Sequence, residues 1–199
     1  MRKPEVMKYR TMLLVGAPGS GKGTQGKILG TIPDFYHCAC GDVFRNLTID
    51  SELGRIFVKY SSKGKLVPDR YTIQLWRENI EAQTQLGRFH PDHDTLVLDG
   101  IPRNRHQAEM LHDALDVVGV FNFVCADTEK LVERLQRRAL RDNRLDDARL
   151  EVIKKRLAIY EKETRPVMDY YGSKRVHPVD ATQTPVNVLR DILRVIAKI

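Results

Sequence analysis

The sequence predicts an α/β protein with a parallel sheet of five strands and helices on both faces of that sheet. Short apolar runs alternate along the chain with amphipathic segments, and the runs are followed mainly by glycine, charged or helix-capping residues. The chain has 199 residues, of which 42% are hydrophobic, and this is enough for the core of one domain. Because right-handed crossovers lay their helices against the sheet, the alternation favours three layers, α/β/α.

The predicted strands are the short apolar runs that polar or turn-forming residues bound on both sides. They are residues 11–15 (TMLLV), 35–39 (FYHCA), 95–99 (TLVLD), 120–126 (VFNFVCA) and 175–179 (RVHPV). Ligands of open parallel sheets bind at the carboxyl ends of the strands. The stretches GAPGSGKGT, CGDVFR, GIPRN and ADTEK, which lie at the ends of the first four runs, are therefore candidates for the functional site.

The predicted helices are segments whose apolar residues recur at helical spacing. Three of them place the following residues on one face: Ile73, Trp76 and Ile80; Leu150, Ile153, Leu157 and Tyr160; Val186, Leu189, Leu193 and Ile196. Thr184 is the expected cap of the last helix, with Pro185 in its first turn. Two segments, residues 41–68 and 138–147, interrupt the alternation and are candidate mobile flaps over the site.

The charge and the cysteine content exclude several classes of protein. Lys and Arg number 33 against 26 Asp and Glu, which gives a net charge of +7 and favours polyanionic partners, nucleotides or nucleic acid. Cys38, Cys40 and Cys125 make neither a disulfide framework nor a four-thiolate zinc site. No apolar stretch approaches the ~20 residues that span a membrane, and the first ten residues, MRKPEVMKYR, lack the apolar centre of a signal peptide. We therefore expect a short solvated tail and a cytoplasmic protein.

The stretch VGAPGSGKGT (residues 15–24) matches a phosphate-binding loop at all but one position. Gly16, Gly21 and Lys22 have the required spacing, but Gly23 stands where the pattern has the Ser or Thr that holds magnesium. The loop follows a predicted strand and precedes a helix that we expect to begin at Lys22, where backbone amides and the helix N-terminus favour phosphate. A glycine-rich turn without function is the alternative, and it leaves this spacing and context unexplained.

Five fragments in chain order resemble the motifs of adenylate kinases and their nucleoside monophosphate (NMP) kinase relatives. They are GAPGSGKGTQ, CGDVFR, GKLVPD, DGIPRNRHQA and KKRLAIYEKETRPVMDYY, and the likeness extends over nearly the whole chain from Met12. It implies a P-loop kinase fold in one domain (1–199), with a mobile NMP-binding segment (residues 41–68) and a short lid (residues 138–147). The long-lid form inserts a subdomain, often with a zinc site, and this chain has neither the length nor the thiols for it.

The resemblance implies a donor site for ATP around the loop and the lid. The residues expected to bind ATP are Gly19, Ser20, Gly21, Lys22, Gly23, Thr24, Arg134, Arg138 and Gln183, with Arg134 stacked on the adenine. The residues expected to act in catalysis are Lys22, Arg103, Arg138, Arg144 and Arg156. Mg²⁺ is expected to arrive with ATP and to be held through water by Asp99, and secondarily by Asp42. Asp146 and Asp147 are expected to pair with the lid arginines.

The resemblance also implies an acceptor site for a nucleoside monophosphate. Its expected residues are Cys40, Gly41, Arg45, Lys65, Leu66, Val67, Gly100, Ile101, Pro102, Arg103, Gln107, Arg144 and Arg156. Gln107 favours AMP, because an amide can pair with the donor and acceptor edge of adenine. Cys40 in place of Thr, Ile101 in place of Phe, and Asn104 after the arginine depart from the adenylate pattern, which keeps UMP or CMP open as the acceptor.

The leading hypothesis is a magnesium-dependent kinase that converts ATP and AMP into two ADP. A UMP/CMP kinase of the same fold is the first alternative, and a non-catalytic nucleotide-binding protein associated with nucleic acid is the second. The second fits less well, since the arginines lie in the phosphate motifs, with few aromatic residues beside them. We expect ATP, AMP and ADP as the ligands, a monomer, and no nucleic-acid or membrane partner.

Overall fold

The computed structural model describes residues 8–142, 144, 147 and 149–199. Residues 1–7 of the predicted tail, and Asp146, lie outside the described residues. Within the described part of the chain, five strands form one sheet: β1 (Tyr9–Gly16), β2 (Phe35–Ala39), β3 (Thr95–Asp99), β4 (Leu115–Val124) and β5 (Val176–Asp180). All neighbouring strands are parallel, in the order β2-β3-β1-β4-β5, so the predicted five-stranded parallel sheet is confirmed.

Helices connect the strands and flank the sheet. They are α1 (Lys22–Leu29), α2 (Cys40–Arg45), α3 (Glu52–Ser61), α4 (Asp69–Gln85), α5 (Arg105–Leu111), α6 (Thr128–Asp142), α7 (Leu150–Ile159), α8 (Val167–Tyr171) and α9 (Pro185–Ile196). A π-helical turn, Tyr160–Thr164, follows α7 directly. Among the residues that the structure describes, none of these helices combines the length and the apolar character needed to cross a membrane.

Strand β1 lies at the centre of the sheet and is buried on both faces. Its side chains alternate between two hydrophobic clusters, because successive residues of a strand point to opposite sides. Leu13 and Val15 belong to one cluster, which α4 and α5 complete with Trp76 and Leu111. Met12 and Leu14 belong to the other, which α1 and α9 complete, chiefly through Leu29, Val188 and Ile192. The three-layer architecture follows from these two clusters.

The two cysteines near the end of β2 pack into the same hydrophobic cluster. Cys38 and Cys40 are each 2% exposed and lie on the α4 side of the sheet, as the alternation of strand residues predicts. His37 points the other way, against Gly26 of α1. Burial is the largest influence on the His37 imidazole and lowers its pKa. This contact sets how closely the helix after the phosphate-binding loop approaches β2.

Two details of the sequence prediction are wrong. Strand β4 begins at Leu115, earlier than predicted, because β1 extends back to Tyr9 and Leu115 is the partner of Tyr9 in the register. Helix α9 buries Val188 and Ile192, whereas two residues of the predicted face, Val186 and Leu193, are 74% and 36% exposed. Helix α9 has apolar residues on more than one face. Which of these faces packs against the sheet therefore depends on tertiary contacts that the sequence does not reveal.

The two segments that interrupt the alternation lie at the carboxyl edge of the sheet. Residues 41–68 contain most of α2 and all of α3, and α4 begins immediately after them. In the lid (138–147), the first residues continue α6 as far as Asp142, and α7 begins at Leu150. Both segments therefore start from a strand or helix that is anchored in the core.

We expect Gly26→Ala to destabilise the protein, although alanine normally stabilises a helix relative to glycine by about 1 kcal/mol. A Cβ atom at this position would overlap the ring of His37. Overpacking should outweigh the helix preference and leave a net loss of about 1–2 kcal/mol, measured by urea unfolding. In a His37→Ala background the overlap disappears, so the same substitution should become neutral or stabilising. An equal loss in both backgrounds would contradict this packing.

Candidate functional site

The phosphate-binding loop occupies the turn between β1 and α1. Gly19 and Gly21 adopt φ angles of 84° and 95°, in the left-handed region that glycine tolerates and other residues rarely adopt. Helix α1 then begins at Lys22, as predicted, so its N-terminus faces the carboxyl edge of the sheet. This geometry is the one that binds phosphate in other loops of the kind, through amides and the helix dipole.

The Lys22 side chain folds back onto its own loop. Its Nζ donates to the carbonyl oxygens of Gly16 at 2.7 Å and Ala17 at 3.0 Å. Burial lowers the pKa of Lys22 to about 8; the charge of Asp99 opposes this shift, and the charges of nearby arginines add to it. A negatively charged phosphate group would raise this pKa again.

Asp99 ends β3 beside the loop, where it faces the glycine that replaces the usual hydroxyl residue. The Asp99 Oδ2 atom lies 3.5 Å from the place that a Cβ of Gly23 would take. A carboxylate at this place suits a hydrated Mg²⁺, which keeps several of its waters and prefers oxygen ligands. The described residues contain no group of three or more His, Cys, Asp or Glu that could hold a metal ion directly. The residues present thus fit a magnesium ion that is held through water.

Arg103 follows β3, and hydrogen bonds hold both its side chain and its backbone carbonyl. Its Nε donates to the carbonyl of Gly100 at 2.6 Å, and its own carbonyl accepts a hydrogen bond from Thr164 Oγ1 at 2.8 Å. Burial lowers the pKa of Arg103, and the charges of Arg156 and Arg45 act in the same direction. The side chain is therefore fixed in a place where an anion would relieve an unfavourable potential.

Asp42 joins the NMP-binding segment to the lid. Its Oδ1 accepts from Arg45 at 2.7 Å and from Arg144 at 3.0 Å. Burial raises the pKa of Asp42, but the hydrogen bond from Arg45 and the charges of both arginines outweigh it and hold the pKa below its ordinary value. This carboxylate is thus occupied by guanidinium groups, and its role as a second magnesium residue stays a prediction.

Asp147 lies fully buried between Arg138 of α6 and Arg156 of α7. Its Oδ2 accepts from Arg138 Nε at 2.8 Å, and its Oδ1 pairs with Arg156 Nη1. Pairing of Asp147 with lid arginines was predicted and is confirmed. Each of the two aspartates, Asp42 and Asp147, therefore bridges two of the arginines that were predicted to contact phosphate.

Arg134 and Gln183 lie together at the far end of the site, near the carboxyl end of β5. Arg134 Nη1 donates to the carbonyl of Ala181 at 2.9 Å, and Gln183 Nε2 donates to Asp191 Oδ2 at 2.9 Å. The Arg134 guanidinium group lines the cleft and is held there by a backbone carbonyl. Their role in holding a base stays a prediction.

The Gln107 amide lies on the opposite side of the cleft and is held at both ends. Its Nε2 donates to Asp69 Oδ1 at 2.8 Å, and its Oε1 accepts from the backbone N–H of Arg103 at 2.8 Å. Cys40 and Ile101 are buried and line the same cleft. Burial raises the pKa of the Cys40 thiol to about 12, so the thiol stays protonated and donates only weakly.

One cleft of about 970 Å³ contains these parts, and every residue that the sequence predicted for the site lines it. The volume lies at the upper end of the range for small-molecule sites and suits more than one nucleotide. Sequence reasoning missed the part played by Asp69 and Thr164, which hold Gln107 and Arg103 in place. Asp69 is the last residue of the motif GKLVPD, and its place in this motif could have indicated its importance. No feature of the sequence indicated the role of Thr164.

Comparison with known proteins gives a consistent result. A sequence model of the family described as adenylate kinase matches residues 14–176. The adenylate kinase of Cyanothece sp. is 36% identical over 192 residues, which cover 93% of this chain and 94% of the relative. The adenylate kinase of Thermobifida fusca is 38% identical over 168 residues (82% and 85%), and that of Borrelia duttonii is 31% identical over 217 residues (94% and 98%).

We expect ATP to bind with uptake of a proton at alkaline pH. Free Lys22, with a pKa of about 8, is mostly neutral at pH 9, and the phosphates of ATP should raise this pKa so that the amine becomes charged. Calorimetry in buffers of different ionisation enthalpy should show uptake of about one proton at pH 9 and much less at pH 7. The uptake should vanish in Lys22→Met and persist in Lys198→Met, an exposed control; equal uptake at both pH values would contradict it.

Proposed function

The chain belongs to the adenylate kinase family, and from the geometry of its cleft we propose how it transfers the terminal phosphoryl group of ATP to AMP, giving two ADP. One observation carries the proposal: cationic side chains from four separate segments converge on one cleft beside the phosphate-binding loop. Phosphoryl transfer depends on positioning and on neutralising charge, and needs little covalent chemistry from the protein. The relatives named above are all adenylate kinases, which favours AMP over UMP or CMP as the acceptor.

The donor subsite is the half of the cleft around the phosphate-binding loop. Backbone amides of residues 19–24 surround the ATP phosphates, and Lys22 exchanges its loop carbonyls for phosphate oxygens. Arg134 covers the adenine with its guanidinium plane, and Gln183 borders the same place. Arg134 lies on α6 and Gln183 follows β5, and both line the cleft, which supports this half of the proposal.

The acceptor subsite is the half of the cleft around the NMP-binding segment. Arg45 and Arg103 hold the AMP phosphate, since each guanidinium group offers a fork of donors that matches phosphate oxygens. Residues 65–67, together with 100–102, form the wall around the base, next to Cys40 and Gly41. Gln107 reads the adenine edge with the donor and the acceptor of its amide.

Arg138, Arg144 and Arg156 act on the phosphoryl group while it moves between the two nucleotides. In the structure their partners are Asp147 and Asp42, two carboxylates that compensate the positive charge where phosphates would bind. Phosphate oxygens take over these guanidinium groups when both nucleotides are bound. A general base is not required, because the attacking oxygen of the AMP phosphate is already ionised.

Asp99 would hold a magnesium ion through water, which the position of its carboxylate opposite Gly23 supports. The ion would supply further positive charge to the bound nucleotide. Asp42 remains the second candidate for this role, and it would have to release Arg45 and Arg144 to fill it. The proposal includes no zinc.

Closure of the two flaps completes the site. The NMP-binding segment (41–68) and the lid (138–147) move over the cleft of a single domain and exclude water from the phosphoryl group. The ion pair between Asp42 and Arg144 supports this motion, because it is a contact between the two flaps. We further propose that the protein acts as a monomer in the cytoplasm on ATP, AMP and ADP, without nucleic acid or membrane.

We expect Arg103→Ala and Arg138→Ala each to lower turnover by roughly 10³- to 10⁵-fold, which is the range for transition-state arginines in related chemistry. The test is steady-state kinetics with ATP and AMP, coupled to ADP detection. Arg105→Ala is the matched control, since this exposed arginine pairs with Glu109 outside the cleft, and its turnover should change less than about threefold. A loss below tenfold in both cleft variants would argue against their roles.

We expect Asp99→Asn to raise the free Mg²⁺ concentration for half-maximal rate by about 10- to 100-fold, the usual effect of losing a group that holds a metal indirectly. Initial rates over a magnesium titration at fixed ATP and AMP measure this shift. The exposed Asp92→Asn should keep the midpoint of the native protein. An unchanged midpoint for Asp99→Asn would remove this residue from the magnesium site.

A further inference from the structure

We propose that Asp69 is a positioning residue that fixes the orientation of the Gln107 side-chain amide. In this orientation the acceptor subsite selects adenine over bases whose hydrogen-bond donor and acceptor are exchanged. The inference rests on the proposed role of this cleft as the AMP subsite. It adds a residue that contacts no substrate and acts through Gln107. The inference depends on the contact between the start of α4 and the start of α5.

Asp69 is the first residue of α4, and its carboxylate accepts hydrogen bonds from side chains at the start of α5. Its Oδ1 accepts from Gln107 Nε2 at 2.8 Å and from Asn104 Nδ2 at 3.0 Å, while its Oδ2 lies 2.9 Å from His106 Nδ1. Burial raises the pKa of Asp69, but the hydrogen bonds from His106, Asn104 and Gln107 outweigh it and lower the pKa overall. The group is therefore an ionised carboxylate, which can only accept hydrogen bonds.

The two neighbours of the Gln107 amide leave one orientation for it. Asp69 can only accept, so the NH₂ group of Gln107 must face it, and the backbone N–H of Arg103 can only donate, so the carbonyl of Gln107 must face that. A flipped amide would place donor against donor and acceptor against acceptor. Gln107 is 1% exposed, and water cannot easily relieve such contacts.

Asn104 fixes the carboxylate in turn. Its Oδ1 accepts from the backbone N–H of Gln107 at 2.7 Å and so caps α5. The Nδ2 of the same amide must then point to Asp69, at 3.0 Å. His106 Nδ1 must carry its proton to donate to the other carboxylate oxygen. Two partners of Asp69, Asn104 and Gln107, are thus each oriented by a backbone N–H, which can only donate.

The fixed amide leaves one N–H and one carbonyl lone pair of Gln107 for the base. Adenine offers an acceptor at N1 and a donor at its 6-amino group, which complement this pair. Hypoxanthine, the base of inosine monophosphate (IMP), offers a donor at N1 and an acceptor at O6, the inverse pattern. Two other residues proposed for the wall around the base offer little discrimination through their side chains, since Cys40 donates weakly and Ile101 has no polar side-chain atom. Rejection of IMP therefore depends on Gln107 being unable to flip.

The test compares kcat/KM for AMP and for IMP in the native protein, Asp69→Ala and Asp69→Asn. Alanine removes one of the two contacts that oppose the flip and leaves the backbone N–H of Arg103 in place. The AMP/IMP ratio should therefore fall at least about tenfold, the effect of one buried hydrogen-bonding mismatch. Asparagine can keep its carbonyl oxygen on Gln107 and Asn104 and turn its NH₂ to His106, so its ratio should stay within about threefold of the native value. If both kcat/KM values fell together and the ratio stayed unchanged, Asp69 would support only the fold, and the inference would be overturned.

Asp113→Ala, an exposed aspartate outside the cleft, is the control and should keep both the rates and the ratio. If Asp69→Ala is too unstable to assay, Asp69→Ser replaces it, because its hydroxyl is too short to reach the amide. A ratio within twofold of the native value in the Ala or Ser variant overturns the inference, as does an equal fall in Asp69→Asn. A native protein that fails to phosphorylate AMP would instead overturn the proposed function itself.

Discussion

Mutual repulsion between guanidinium groups is the constraint on which the cleft depends. Arginines from four segments line one cleft, and each of them raises the energy of the others. Asp42 and Asp147 resolve this by bridging the arginines in pairs, while Asp99 stands near Lys22. Burial is the main cause of the lowered pKa values of Lys22 and Arg103, and the charges of neighbouring arginines add to it. The remaining positive potential is what an incoming phosphate neutralises.

The parallel sheet brings these arginines and the phosphate-binding loop together at one edge. All strands run in one direction, so the turns after β1, β2 and β3 open at the same edge and carry the phosphate-binding loop, α2 and Arg103. The hydrophobic clusters on both faces fix the strands that support these turns. Positions separated by about a hundred residues in the chain, such as Asp42 and Arg144, thereby come into hydrogen-bonding contact.

Much of this could be read from the sequence, because local patterns determine it. The glycine spacing specifies the loop, apolar runs specify the strands, and the ordered motifs bring every predicted site residue to one cleft. The rotation of α9 and the start of β4 could not be read, since each depends on packing between distant segments. The same holds for Asp69 and Thr164, whose importance appears only when their hydrogen-bonding partners on other elements are known.

The burial of two of the three cysteines has a practical consequence. Cys38 and Cys40 are almost inaccessible, and burial raises the pKa of both thiols, so neither presents a thiolate to a reagent near neutral pH. Cys125, at the end of β4 just before α6, is partly exposed. A maleimide fluorophore should therefore attach at this one native position next to the helix that leads into the lid. Energy-transfer measurements of the proposed lid closure would then need one engineered cysteine for the second fluorophore, and no natural cysteine would have to be removed.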